Sequence, residues 1–188
     1  YYPALTRDNV TLETAGIEAF VEEGILSKDG RVHAFEVVVF GTGFESQAFQ
    51  GDLQVSGLDG SLADAWADGP QAYLGMAVPG FPNLFMIYGP NTNLNHNSIL
   101  SMLEIQQRYI IDAIRGIEAS GVDACHVSRS LSDDYNRALQ AAMSGSAFSA
   151  DCSSWYKNAK GKVINNWSGT VDEYRAMARW DLGAFEPI

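Results

Sequence analysis

Apolar residues in the first half of the chain occur in short runs typical of β-strands. Alternating runs predict brief strands at residues 10–13, 17–21, 24–26 and 31–35. Residues 37–40 are consecutively apolar, which predicts a strand buried on both faces over 36–40, and residues 84–88 predict a second buried strand. Residues 45–80 show little periodicity and predict a long irregular segment.

A helical spacing dominates the second half. Apolar residues three or four positions apart predict a long helix that begins at Asn97 or Ser98 and ends near Gly121. Its apolar residues cover more than one face, so we expect it to be largely buried. Shorter elements follow it: a strand over 122–127, a helix from Ser130 or Ser132 to Gly145, paired strands at 154–156 and 162–165, and a helix from Thr170 to about Trp180. Strands mixed with helices indicate an α/β fold.

The charge of the chain narrows the classes of ligand that it is expected to bind. The 188 residues, one domain's worth by length, carry 12 basic and 23 acidic side chains, a net charge of -11. We therefore expect no binding to nucleic acid or to anionic membranes. No Lys or Arg occurs between Arg31 and Arg108. An anion bound along that stretch has to be held by backbone N–H groups, a helix N-terminus or another segment.

Other features give only negative expectations. The chain shows no signal sequence and no apolar run of about 18 residues, so we expect a cytoplasmic protein without membrane contact. The histidines and cysteines lack metal-ligand spacing, and no Ser/His/Asp constellation is recognisable. Cys125 is expected to be a small buried residue.

Two segments remain as candidate sites. Gly41–Ser46 follows a predicted strand and matches a dinucleotide-binding glycine pattern at two of its three glycines, but it also reads as a tight turn. Gly89–Ser98 is rich in Asn and lies between a predicted buried strand and the start of the long helix. It is either a ligand-binding crevice or an Asn-rich turn that only caps the helix.

A family resemblance favours the ligand-binding interpretation. Phe81–Ser98, followed by Glu104, Gln106 and Tyr109, resembles the C-terminal part of FAD-containing, NADPH-dependent monooxygenases. The resemblance is to the branch with Baeyer–Villiger and 4-hydroxyacetophenone-monooxygenase-like enzymes. Four further segments also resemble that family, so that nearly the whole chain is covered: residues 1–10, Glu36–Phe44, Cys152–Lys157 and the tail from Asn166 to Tyr174.

The resemblance implies a fold and a site. The chain would be part of a fold with two dinucleotide-binding domains, with a mixed sheet and a buried helix. Residues 1–36 would end the NADPH-binding domain, and residues 37–188 would form the C-terminal part of the FAD-binding domain. Asn95 stands where the family usually has Gly, and Asn is the best substitute if the backbone φ is positive. The implied cofactor-binding residues are Thr42, Gly43, Phe44, Gly89, Asn91, Asn93, Leu94, Asn97 and Ser98.

The implied function is that of a fragment. The complete enzyme would use FAD and NADPH to insert one oxygen atom of O2 into a ketone or heteroatom of a small molecule. The family's cofactor fingerprints and catalytic Arg lie upstream of this chain, so we expect no catalytic residue here and no retention of either cofactor by the fragment alone. Its partner would be the missing N-terminal part, and exposed apolar surface would favour self-association. A non-enzymatic binding or assembly module and a small dinucleotide-binding protein remain the alternatives.

Overall fold

The computed structural model describes residues 1–43, 48–151 and 154–188. Phe44 and Cys152 lie outside the described residues. The chain forms two compact units, Tyr1–Phe44 and Glu45–Ile188. The predicted division after residue 36 therefore lies within the first unit, and the assignment of the parts to NADPH- and FAD-binding domains stays a prediction.

The first unit is a small antiparallel sheet. One short helix, α1 (Tyr2–Leu5), precedes strands β1 (Ile17–Val21), β2 (Gly24–Ser27) and β3 (Val32–His33), which pair in that order. The strands predicted at 17–21 and 24–26 are confirmed. Strand β3 is shorter than the strand predicted over 31–35, and residues 10–13 form no strand.

The buried strand predicted over 36–40 is wrong. These residues form no strand, and Val37 and Val39 are 77% and 87% exposed. A strand buried on both faces needs neighbours that pair with its backbone and layers that cover its side chains. The described part of this unit supplies neither, so the apolar run stays in solvent.

The second unit is mainly helical. Its helices are α2 (Leu62–Ala65), α3 (Ile99–Ser120), α4 (Arg129–Met143) and α5 (Val171–Met177). Strands β4 (Cys125–Val127) and β5 (Phe185–Pro187) pair antiparallel, and single 3-10 turns occupy Ala147–Ser149 and Leu182–Ala184. Cys125 is buried in β4, as predicted.

Helix α3 is the centre of this unit. It begins after Ser98 and ends at Gly121, whose φ of 71° is the left-handed conformation expected of a helix-ending glycine. Both boundaries are as predicted. Burial is only partial, because Leu100, Ile111 and Ile114 are exposed while the opposite face enters the core. That core contains Leu74, Met76, Leu94, Met102, Ile105, Tyr109, Leu139, Met143, Val163, Trp167, Val171 and Tyr174.

Several other predicted boundaries moved. The strand predicted over 84–88 is wrong: only Phe85 pairs, with Ala77, and Tyr88 has a φ of +61° that no strand tolerates. Helix α4 begins earlier than predicted because Ser128 accepts a hydrogen bond from the Leu131 N–H. The predicted strand pair around Gly161 is reduced to one pairing between Lys157 and Val163. Helix α5 ends at Met177, short of Trp180.

Among the described residues, no helix has the length and apolar character required to span a bilayer.

Candidate functional site

Two glycines fix the base of the 89–98 segment. A Cβ on Gly89 would lie 2.2 Å from the carbonyl oxygen of Gly75. A Cβ on Gly75, where φ is +66°, would lie 2.1 Å from Cγ2 of Thr92. Two stretches of backbone therefore cross with no room for a side chain, which determines where the segment leaves the core.

A buried glutamine orders the residue before this crossing. The Tyr88 N–H donates to Oε1 of Gln106 (2.9 Å), and Nε2 of Gln106 donates to the Tyr174 hydroxyl (3.1 Å). That hydroxyl in turn donates to the Leu74 carbonyl (2.5 Å). Burial raises the pKa of Tyr174, so its hydroxyl stays protonated and remains a donor. One chain of hydrogen bonds thus joins α3 and α5 to both of the backbone stretches that cross at Gly75 and Gly89.

The next residues pair with a distant stretch of chain. The Asn91 N–H donates to the Ile164 carbonyl (3.0 Å) and the Asn93 N–H to the Asn165 carbonyl (3.0 Å). The Trp167 N–H returns a bond to the Asn93 carbonyl (2.9 Å). The two stretches run parallel, so 91–93 is held as an extra strand would be.

The Asn91 side chain faces inward. Its φ is +57°, and its Nδ2 donates to the carbonyls of Val163 (2.9 Å) and Asn166 (3.1 Å). Leu94 belongs to the core, and Asn93 is half-buried, with Oδ1 accepting from the Tyr88 hydroxyl (2.8 Å). We call residues 88–94 the anchored half of the segment.

Residues 95–98, the exposed half, are polar and in solvent. Oδ1 of Asn97 accepts from the Ser98 N–H (2.7 Å), but the Ser98 side chain makes no capping bond to α3. The N-cap side chains of α4 and α5, Ser128 and Thr170, do make such bonds. The first turn of α3 thus keeps backbone N–H groups and the positive end of its dipole available to a ligand.

The remaining predicted cofactor-binding residues lie in the first unit. Thr42 and Gly43 are exposed, and Gly43 has a φ of +80°. Phe44 lies outside the described residues. Asn95 does not have a positive φ, so the conformational reason offered for Asn at that position does not apply. Its side chain instead accepts a hydrogen bond from Asn166.

Sequence reasoning overlooked three supporting residues. Gln106 was noted only as part of the resemblance, although a lone amide within the apolar face of α3 signals a buried hydrogen-bond partner. Tyr174 and Asn166 belong to the tail that resembles the family, but neither is among the predicted site residues. Trp167 packs edge-on against Tyr174 with ring centroids 5.6 Å apart, which joins the two groups of anchors.

A second polar cluster in the first unit has no catalytic geometry. Ser27 is buried, donates to Asp29 (2.5 Å) and lies 3.2 Å from Nε2 of His33. Glu13 faces the same Nε2 (3.5 Å), whereas a nucleophile's base needs its carboxylate on the opposite ring nitrogen. Arg31 and Ser27 hold the pKa of Asp29 well below its usual range. This network fixes the β2–β3 turn. No three His, Cys, Asp or Glu residues converge as metal ligands anywhere in the described ranges.

Comparisons with known proteins give a consistent result. No family model matches the chain. An FAD-binding monooxygenase of Aspergillus niger is 37% identical over 96% of this chain and 31% of its own length. A Baeyer–Villiger monooxygenase of Pseudomonas aeruginosa is 38% identical over 98% of this chain and 36% of its own length. The chain thus spans about a third of the length of these relatives.

Solved structures agree with the sequence relatives. The complex of OTEMO with FAD and NADP superposes with a TM-score of 0.80 at 25% identity, over 100% of this chain and 37% of that one. An oxidised steroid monooxygenase bound to NADP gives 0.76 at 28% identity, with the same coverage. Both likenesses bear out the α/β dinucleotide-binding fold expected from the sequence.

Proposed function

We propose that residues 89–98 form one wall of the FAD site in a Baeyer–Villiger-type monooxygenase. This chain belongs to the FAD-binding, Baeyer–Villiger-type monooxygenases and is a C-terminal portion of one. The whole protein would insert one oxygen atom of O2 into a small organic substrate, a ketone or a heteroatom compound. The observation that carries the proposal is a largely buried, hydrogen-bonded anchored half, followed by four exposed polar residues and an uncapped helix start.

These residues fit a flavin. FAD, reduced by NADPH, supplies the electrons that activate O2. The N-terminus of α3 would stabilise negative charge on the electron-rich edge of the flavin, since its first N–H groups have no side-chain cap. Asn97 and Ser98 would offer amide and hydroxyl groups, whereas Gly89, Asn91, Asn93 and Leu94 would contribute through the position of their backbone.

The rest of the site would come from elsewhere. Thr42, Gly43 and Phe44 would pass near FAD where the chain leaves the NADPH-binding domain. Because no Lys or Arg occurs between Arg31 and Arg108, the cations that meet the cofactor phosphates would belong to the N-terminal part of the longer protein. That part would also cover the exposed apolar face of α3, which carries Leu100, Ile111 and Ile114. Without this partner we expect the same face to drive self-association.

A comparison of the chain with the longer protein tests the proposal. We expect the longer protein to purify with flavin absorbance and to oxidise NADPH faster when a ketone substrate is added. We expect the 188-residue chain with added FAD to do neither. Substrate-dependent NADPH oxidation by the chain alone, or a longer protein that holds no flavin, would overturn the proposal.

The alternative of a small dinucleotide-binding protein built on Gly41–Ser46 gains no support. Such a turn needs a helix directly after its glycines. Among the described residues that follow Gly43, the first helix is the single turn α2, at Leu62–Ala65.

A further inference from the structure

A buried side chain connects the C-terminal segment to the exposed half. Asn166 is fully buried, and its Nδ2 donates to Oδ1 of Asn95 (3.1 Å). Its own backbone carbonyl accepts from Asn91, in the anchored half. Asn166 therefore contacts both halves of the segment at once.

We propose that Asn166 is a positioning residue, which holds Asn95 and thereby sets the orientation of residues 95–98 and of the N-terminus of α3. The inference rests on the proposed function, in which this part of the molecule faces the flavin. It adds a residue from a segment 71 positions away that never needs to touch the cofactor.

The energetics of Asn166 support a role beyond stability. Its Oδ1 is buried and has no hydrogen-bond partner among the residues that the structure describes. Leaving a buried acceptor unpaired costs more free energy than one neutral hydrogen bond returns. An apolar side chain of similar size, such as Leu, would avoid that cost. The amide does provide one thing that Leu cannot, which is the bond to Asn95.

The position of Asn95 affects the residues that lead into α3. It is exposed, its φ is negative, and it is followed by three more exposed residues before α3 begins. Among the described contacts, the Asn166 amide is the one side-chain bond that ties Asn95 to the buried part of the unit. Loss of this bond frees the residues that lead into the uncapped helix start.

Asn166→Leu in the FAD-loaded protein that contains this chain provides the test, with Asn136→Leu as the matched control. Asn136 is also buried, with an unpaired Oδ1, but its Nδ2 donates only within α4, to Ser132. The two readouts are the reduction potential of the bound flavin and amide hydrogen exchange of Ser98 and Ser101, whose N–H groups donate to Oδ1 of Asn97 and to the Ser98 carbonyl. We expect Asn166→Leu to speed exchange roughly 2- to 10-fold, the equivalent of one hydrogen bond. It should also make the potential more negative, while Asn136→Leu changes neither.

A double-mutant comparison separates the tether from general damage. Asn95→Ala changes an exposed residue and should reproduce both effects, and adding Asn166→Leu to it should produce little more. If Asn166→Leu fails to fold, Asn95→Ala alone still decides. Unchanged exchange would overturn the tether, and changed exchange with an unchanged potential would reduce Asn166 to a structural role. A protein without flavin would instead contradict the proposed function, and the exchange measurement would still decide the tether.

Discussion

The two halves of the 88–98 segment are built in opposite ways. In the anchored half, backbone and side-chain groups are used by Gln106, by residues 163–167 and by the Gly75 crossing. In the exposed half, four consecutive polar residues face solvent, and the helix that follows lacks a side-chain cap. Most polar groups of the anchored half bond to other parts of the protein, whereas the side chains of the exposed half stay accessible to solvent.

If residues 89–98 line the FAD site as proposed, this difference divides two tasks between adjacent residues. A loop that used all its polar groups internally would offer nothing to a cofactor, and one that used none would be mobile. With this division, the anchored half holds the segment in place and the exposed half remains accessible to a ligand. Substitutions in the anchored half should therefore lower the free energy of unfolding, whereas substitutions in the exposed half should lower the affinity for FAD.

The largest expected effect is that of Gly89→Ala. The new Cβ would lie 2.2 Å from the Gly75 carbonyl oxygen, and backbone has to move to accommodate it. We expect a loss of at least about 3 kcal/mol in the free energy of unfolding, measured in urea. In Gly183→Ala the new Cβ meets a flexible Asp181 carboxylate at 3.3 Å, so this control should cost far less. Equal losses in the two variants would refute the tight crossing.

The next effect is that of Gln106→Leu. It removes the acceptor for the Tyr88 N–H and the donor to the Tyr174 hydroxyl, both at fully buried Gln106. We expect a loss of about 2 kcal/mol by urea unfolding. The neighbouring Gln107 is exposed, so Gln107→Leu should stay within about 0.5 kcal/mol of the parent. A Gln106→Leu variant as stable as this control would show that the anchor is dispensable.

Asn97→Ala should show the opposite balance. Asn97 is exposed and bonds only to the adjacent Ser98 N–H, so stability should change by less than about 0.5 kcal/mol. In the longer, FAD-loaded protein we expect FAD to dissociate more readily, with affinity lowered roughly 2- to 10-fold by equilibrium dialysis. Arg137→Ala, on the exposed surface of α4, serves as the control. If FAD affinity stayed unchanged while stability fell, Asn97 would behave like a residue of the anchored half.

The smallest effect concerns acid stability. Thr170 donates to Glu173 from both its N–H and its hydroxyl, and these bonds lower the pKa of Glu173. A depressed folded-state pKa stabilises the protein above the unfolded-state value and loses that contribution as the pH falls through the folded-state pKa. The melting temperature should therefore fall on acidification, and part of that fall should disappear in Glu173→Gln. Identical pH profiles would show that the Glu173 carboxylate does not stabilise the start of α5.

The sequence predicted those parts of the fold that depend on local chemistry. Ser98 and Gly121 mark the ends of α3, because helix caps are decided within a few residues. The predicted strands at 36–40 and 84–88 failed because a strand depends on distant partners. An apolar run signals burial without showing which neighbours are present.

The candidate site followed the same division. The Asn-rich composition of Gly89–Ser98 was sufficient to single out the segment. It did not show that Asn91 faces inward, since that depends on the Val163 carbonyl, 72 residues away. Asn166 carried no local signal, because its role arises only when the two stretches meet.

The parallel pairing of 91–93 with 164–167 also has a consequence for the order of events during synthesis. The anchored half leaves the ribosome about 70 residues before its partners do. Until the later stretch emerges, Asn91 lacks the carbonyls that its side chain binds, and Gln106 lacks the Tyr174 hydroxyl. A nascent chain would therefore complete the proposed FAD wall only after α5 has docked. In a translating cell, cofactor capture at this wall would be among the last steps of maturation.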